Sequence, residues 1–169
     1  LKTAIRDNDP VMFFEHKMLY TTKFNDVPEV EEDVCIPFGR ARIVAEGADI
    51  TVVTNSMMTI KAEKAVRQLQ KEGISAELID LRTIVPLDTE TIIRSVKKTG
   101  KLLIVDEGHL SFGITGEIAS RIMPDVFYDL DAPIQRMGTA DVPLPFSPAL
   151  EFPLIPDEKK IAAKIREMV

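Results

Sequence analysis

Cysteine and histidine are scarce in this chain of 169 residues, which has one cysteine and two histidines. A single cysteine, Cys35, excludes an internal disulfide and a cysteine metal cluster. The isolated histidines His16 and His109 count against a zinc site. Because Cys35 lies between Val34 and Ile36 with no histidine nearby in sequence, we interpret it as structural rather than as a nucleophile. This cysteine usage favours a reducing, cytoplasmic setting.

Two further absences bear on the partners of the chain. No apolar run approaches the roughly 20 residues that a membrane-spanning helix needs. The formal net charge is −6, and the lysine pairs are too short to form a basic stripe, so we interpret them as solvated helix faces. We therefore expect neither a membrane nor a nucleic acid as a partner.

Apolar runs and amphipathic patterns alternate from Gly39 onward. Strands are predicted at 40–47, 48–56, 74–82, 101–107 and 133–138, and helices at 57–72, 86–99, 113–123 and 158–168. Apolar strands that alternate with helices indicate a three-layer α/β/α open sheet, mostly parallel and covered on both faces. A tight turn at Glu46–Ala48 predicts that the first strand is an antiparallel edge strand beside its neighbour in sequence.

The first 37 residues have a different character. The run "LKTAIRDNDP" predicts the end of a helix followed by turn residues, so we expect the chain to be a fragment of a longer protein. The run "VMFFEH" predicts a buried strand, and residues 17–39, with an acidic run at 29–33, predict an extended linker across a surface. The predicted division is a tail and linker at 1–37 and a main domain at 38–169.

The stretch "VDEGHLSFGITGEIA", residues 105–119, has the composition of a functional site. Asp106, Glu107 and His109 follow a parallel strand, where open α/β sheets place their ligands. The glycines match no dinucleotide or P-loop pattern, although the amides that follow could bind an anion at a helix N-terminus. A metal site, or a catalytic triad with Ser111, would need further ligands or a strained serine turn. The remaining interpretation is an ordinary strand end in water or at an interface.

Arg82 and Asp88 flank a turn at Pro86 between a strand and a helix. Their opposite charges are consistent with a surface ion pair that fixes the turn, and the alternative is a contact with another subunit.

Several long segments together resemble one enzyme family. They are "AIRDNDPVMFFEHKMLY", "IPFGRARIVAEGADITVVTNSMM", "GISAELIDLRTIVPLDTETIIRSVKKTGKLLIVDEGH", "GITGEIASRI" and "LDAPIQRMGTADVPLPFSPALE". In this order they resemble the C-terminal, transketolase-like domain of the beta subunit of thiamine-diphosphate-dependent 2-oxo acid dehydrogenases of the pyruvate or acetoin type. The resemblance covers nearly the whole chain. It implies that residues 1–37 are the tail of the preceding pyrimidine-binding domain plus a linker, and that residues 38–169 have the transketolase C-terminal fold.

The resemblance also implies what the chain does. In this family thiamine diphosphate and Mg²⁺ serve the whole enzyme, and the residues that hold them lie outside the segments matched here, so we expect no catalytic residue and no bound cofactor in this chain. A monovalent cation is expected near the Ala4 carbonyl, Asp7 and Asp9, since hard cations take oxygen ligands. Asp131 matches the acid that docks the subunit-binding domain of the acyltransferase core. The other expected partners are the alpha subunit and a second beta subunit.

Two alternatives stay open. The chain could be the C-terminal domain of another thiamine enzyme, of the transketolase or deoxyxylulose-phosphate synthase type. It could also be a stand-alone domain that binds a small molecule or an anion at the sheet edge near Asp106 and His109.

Overall fold

The sheet in the computed structural model has five strands, and the structure describes residues 1–23 and 34–169. The strands are β1 (Arg42–Ala45), β2 (Ile50–Thr54), β3 (Ala76–Asp80), β4 (Leu102–His109) and β5 (Gln135–Thr139). The α-helices are α1 (Lys2–Arg6), α2 (Ser56–Gln70), α3 (Thr89–Thr99), α4 (Ile114–Val126), α5 (Pro148–Glu151) and α6 (Glu158–Met168). Short 3₁₀ helices lie at Lys17–Tyr20, Phe127–Asp129 and Phe152–Leu154.

The strand order is β1-β3-β2-β4-β5. Strands β3, β2, β4 and β5 are parallel, and β1 adds an antiparallel edge beside β3. The chain passes from β2 to β3 on one side, and the next crossover reaches β4 on the other side. The strand order therefore reverses between β2 and β4, which is the topological switch point of a doubly wound sheet.

Two apolar clusters cover the two faces of the sheet. Helices α2 and α6 supply one cluster, which also includes Val52 and Leu103. Helices α3 and α4 supply the other, with Val53 and Ile104. Neighbouring residues of one strand thus point to opposite faces, and every residue of β2 is buried. The predicted three-layer α/β/α fold is confirmed.

The helix ends follow from local sequence. Asp88 accepts a hydrogen bond from the amide of Thr91 at the start of α3, and Asp157 accepts one from Lys160 at the start of α6. Gly100 ends α3 with φ +68°, a left-handed conformation that favours glycine. Outside the undescribed residues 24–33, none of the helices has the length and apolar character to span a bilayer.

The structure confirms only part of what the sequence predicted for the first half of the chain. Residues 11–16 form no strand: they are mostly exposed, and none of the described strands pairs with them, so the prediction of a buried strand was wrong. The antiparallel edge strand is confirmed, but its neighbour is β3 rather than β2. The acidic run at 29–33 and residues 24–33 of the predicted linker lie outside the described residues, while Lys17–Tyr20 of that linker form a 3₁₀ helix rather than an extended segment. The division at residues 37 and 38 stays a prediction.

Candidate functional site

The stretch at 105–119 continues β4 beyond its buried part. β4 runs on to His109, which pairs with Thr139 of β5, and the last four residues of the strand are partly or fully exposed. Asp106 accepts a hydrogen bond from the amide of Gly108 at 3.0 Å, and Thr139 donates its hydroxyl to the Glu107 carbonyl at 2.6 Å. The polar residues of the stretch therefore lie at the carboxyl edge of the sheet, as the sequence predicted.

His16 reaches the same edge although it is far from Glu107 in sequence. Its Nε2 lies 2.7 Å from a carboxylate oxygen of Glu107, and both side chains are partly buried, with 23% and 32% of their surface exposed. The amide of Met18 donates to Nδ1 of His16, so the hydrogen of the neutral ring is on Nε2 and is donated to Glu107. No sequence pattern indicated this pair, because 91 residues separate its members.

His109, Ser111 and Asp141 line an open depression of about 320 Å³. Nδ1 of His109 lies 2.9 Å from the carbonyl of Ala140 and must carry the hydrogen, since a carbonyl only accepts. The hydroxyl and the amide of Ser111 both donate to Asp141. These hydrogen bonds, the one from the hydroxyl first, hold the pKa of Asp141 below its ordinary value.

This arrangement does not form a catalytic triad. Ser111 donates directly to Asp141, and the hydrogen-bearing nitrogen of His109 faces a backbone carbonyl, so the order serine, histidine, acid is not made. Within residues 1–23 and 34–169, no group of three or more histidine, cysteine or acidic side chains is placed to hold a metal ion. These residues therefore do not fit a Mg²⁺-diphosphate group by themselves.

Arg136 is a residue that sequence reasoning missed. Its guanidinium lies 3.3 Å from the carbonyl of Leu110 and 3.4 Å from the hydroxyl of Thr115, so it braces the loop in front of α4. The sequence places Arg136 on β5, and only the parallel pairing of β4 with β5 brings it to this loop.

Asp131 lies at the opposite edge of the sheet, before β5. Its amide donates to the carbonyl of Gly100 at 2.8 Å, and its side chain is exposed. Tyr128 and Phe127, in the preceding 3₁₀ helix, are 95% and 61% exposed, with their rings in an edge-to-face contact. Asp129 lies 3.8 Å from the ammonium of Lys97. Exposed aromatic rings of this kind are enriched in protein-binding surfaces.

The three residues proposed for a monovalent cation lie close together in sequence and on the surface. Ala4 is in the last turn of α1, and Asp7 directly follows that helix. A carboxylate oxygen of Asp7 accepts the amide of Asp9 at 2.9 Å, while Asp9 itself is exposed. The turn offers oxygen donors of the type that a hard cation needs, and the cation site stays a prediction.

The predicted ion pair between Arg82 and Asp88 is not formed. Both oxygens of Asp88 are engaged: they accept the amides of Ala41 and Thr91 and the hydroxyl of Thr91, and the side chain is buried. Burial raises the pKa of Asp88, but these hydrogen bonds outweigh it and leave the pKa below its ordinary value. Arg82 is exposed and has φ +59°. The prediction was wrong because the backbone amides supply the donors that Asp88 needs.

Close relatives cover nearly the whole chain. It is 48% identical over 166 residues to the pyruvate dehydrogenase E1 component subunit beta of Rickettsia felis. It is 43% identical over 169 residues to the 2-oxoisovalerate dehydrogenase subunit beta of Bacillus subtilis. It is 44% identical over 164 residues to the beta subunit of the acetoin:2,6-dichlorophenolindophenol oxidoreductase of Cupriavidus necator. These matches cover 98%, 99% and 97% of this chain and 50%, 51% and 48% of the relatives, so the chain spans about half their length.

A solved structure agrees with these relatives. The chain superposes on a split-gene transketolase, described as an inactive beta4 tetramer, with a TM-score of 0.67 and 28% identity. That match covers 84% of this chain and 45% of the other. The family model for the transketolase C-terminal domain matches residues 39–161. The chain thus belongs to the transketolase C-terminal domain family, and its sequence is similar to the beta subunits of pyruvate, acetoin and 2-oxoisovalerate dehydrogenases.

Proposed function

We propose that this chain is the assembly and docking domain of the decarboxylating component of a 2-oxo acid dehydrogenase complex, of the pyruvate or acetoin type. The support is its 43–48% identity to beta subunits of such enzymes. The lower identity of 28% to a transketolase makes that second thiamine enzyme the weaker candidate. A cytoplasmic location is part of the proposal.

The single observation that carries the docking role is the placement of Asp131. Its backbone is anchored to Gly100 by a hydrogen bond, while its carboxylate is exposed at the amino edge of the sheet. An anchored backbone lowers the entropy that the residue loses on binding. The partner that such a carboxylate fits is a basic helix, and we assign it to the subunit-binding domain of the acyltransferase core.

The alpha subunit and a second beta subunit complete the proposed assembly. Thiamine diphosphate supplies the electron sink for decarboxylation in the whole enzyme. The donor groups described above do not fit a metal-bound diphosphate, so we place the cofactor site outside this chain. Calorimetry with thiamine diphosphate and Mg²⁺ tests this point: we expect no saturable binding by the chain alone, and tight binding would contradict the proposal.

The docking role is tested with the enzyme assembled around this chain. A pull-down with the acyltransferase subunit-binding domain compares Asp131→Lys with Glu90→Lys, which makes the same charge change. Glu90 is exposed in the first turn of α3, at the end of that helix opposite to Gly100, so it serves as the matched control. We expect Asp131→Lys to lose capture and Glu90→Lys to keep it. Equal capture of both variants would refute the assignment of Asp131.

A stand-alone binding domain remains the alternative from a different class. The open depression beside His109 is the feature that would favour it. Calorimetry of the chain alone with inorganic phosphate distinguishes the two proposals. A stand-alone binding domain would bind a small molecule or inorganic phosphate without any partner subunit.

A further inference from the structure

Residues His16–Tyr20 lie across the carboxyl edge of the sheet. His16 is the residue before the 3₁₀ helix Lys17–Tyr20, and its ring contacts Glu107 at the end of β4. Leu19 packs against the apolar cluster on the face covered by α2 and α6. The segment is thus attached at two points, one polar and one apolar, to the domain that follows it.

The same segment also forms hydrogen bonds within itself. The amides of Leu19 and Thr22 donate to the carbonyls of His16 and Leu19, at 2.9 and 3.3 Å. The hydroxyl of Thr22 donates to the Met18 carbonyl at 2.8 Å, and the hydroxyl of Tyr20 donates to the carboxylate of Glu15. These bonds make residues 16–22 a compact turn.

The segment contacts the part of the sheet where folds of this kind bind ligands. Open α/β sheets take ligands outside the carboxyl ends of the strands at the switch point, which here lies between β2 and β4. Glu107, at the end of β4, is the acid that such a ligand would meet, and His16 already occupies its carboxylate. The segment before it, residues 11–14, exposes large apolar side chains, with Met12 at 80% and Phe14 at 86%.

We propose that residues His16–Tyr20 form a strap that is clasped to β4 by the His16–Glu107 hydrogen bond and seated by Leu19. The closed strap occupies the switch-point edge and leaves Glu107 unavailable to other groups. Release of the strap frees this carboxylate and loosens the loop after β4.

This inference does not depend on the proposed docking function. Asp131 lies at the amino edge of the sheet, whereas the strap lies at the carboxyl edge, so a failure of one proposal leaves the other unaffected. The strap concerns only contacts inside this chain.

Hydrogen exchange in the 169-residue chain tests the clasp through a double-variant cycle. We expect Glu107→Ala, which removes only the charge-assisted bond to His16, to speed exchange of the Leu19 amide by about three- to tenfold. His16→Ala also removes the acceptor of the Met18 amide, so it should speed this exchange at least as much. The double variant should show no further increase, because the partners act as one pair. The Leu110 amide, which bonds to the Thr139 carbonyl, should exchange about twofold faster in the same variants, as the loop after β4 loosens.

Two controls keep this test decisive. Glu117→Ala removes an exposed acid paired with Arg121 on α4, and it should leave strap exchange unchanged. Exchange of the Val53 amide in β2 reports whether the core stays folded. If Glu107→Ala perturbs that amide, Glu107→Met, which has a similar length but no oxygen to accept from His16, replaces it in the cycle. Unchanged Leu19 exchange in His16→Ala, or effects that multiply in the double variant, would overturn the proposal.

Discussion

The amide of Asp131 donates a hydrogen bond to the carbonyl of Gly100, and the Asp131 carboxylate lies directly over that glycine. A Cβ added to Gly100 would lie 2.1 Å from a carboxylate oxygen of Asp131. Gly100 also has φ +68°, which ends α3. One glycine therefore does two things: it terminates a helix, and it leaves room for the acid that we assign to docking.

Gly100→Ala should therefore disturb both features. The left-handed backbone strains the alanine, and the clash pushes the carboxylate away, so we expect the free energy of unfolding to fall by about 2–3 kcal/mol. Urea denaturation measures this change. The matched control is Gly73→Ala, since Gly73 has φ +89° but nothing within 4 Å of its added Cβ. Equal losses in the two variants would mean that the contact with Asp131 adds nothing to the backbone strain.

Asp88 at the start of α3 should contribute more to the free energy of unfolding than an ordinary helix cap. It accepts the amides of Ala41 and Thr91, so its removal leaves one amide before β1 as well as one in α3 without a partner. We expect Asp88→Ala to lower the free energy of unfolding by about 2–3 kcal/mol. Asp157→Ala, which removes only a cap on Lys160, should cost about 1 kcal/mol.

The same measurement checks the absence of an Arg82–Asp88 pair. Arg82→Ala should change the free energy of unfolding by less than about 0.5 kcal/mol, apart from any effect of its left-handed backbone. If Arg82→Ala lowered the free energy of unfolding as much as Asp88→Ala does, Arg82 and Asp88 would have to form an ion pair, contrary to the contacts of Asp88.

Glu77 should make stability depend on pH in the acid range. Its side chain is 2% exposed, and burial raises its pKa, but hydrogen bonds from Lys98 first, and then from Ser95 and the Gly47 amide, outweigh burial and lower the pKa below the ordinary value of 4.5. A carboxyl whose pKa is lower in the folded state contributes stability above the unfolded pKa. That contribution is lost as the pH falls through the folded pKa.

Glu77→Gln removes this titration. We expect the wild-type free energy of unfolding to fall more steeply than that of Glu77→Gln as the pH is lowered from neutrality to below 4.5, and the two curves to converge at the acid end. Near neutral pH the variant should be less stable by about 1–2 kcal/mol, since Lys98 is 43% exposed and water replaces part of the lost bond. Parallel curves over this range would contradict the prediction.

The sequence predicted most elements of the fold because their signals are local. Val52 and Val53 belong to a β-branched buried run, and Asp157 marks a helix start, so periodicity and capping suffice. The partner of β1 could not be read in this way, because an antiparallel strand fits either edge position and long-range packing decides between them. Residues 11–16 have strand-like composition, but a strand also needs a neighbour to satisfy its backbone.

The contacts of the sites were predicted less well. The placement of Asp106 and His109 at a strand end followed from the sequence, since parallel strands end at one edge. The pairing of His16 with Glu107 and the approach of Arg136 to the loop after β4 depend on residues that are distant in sequence. No periodic pattern encodes such contacts, and only the folded topology brings these side chains together.

The most direct test of the central claim is the affinity of the acyltransferase subunit-binding domain for the enzyme assembled around this chain. We predict that Asp131→Lys raises the Kd about tenfold or more, that Asp131→Asn weakens binding less and lowers its salt dependence, and that Glu90→Lys leaves the Kd within about twofold of wild type. A Kd for Asp131→Lys equal to that of wild type, at low and at physiological salt, would contradict the account.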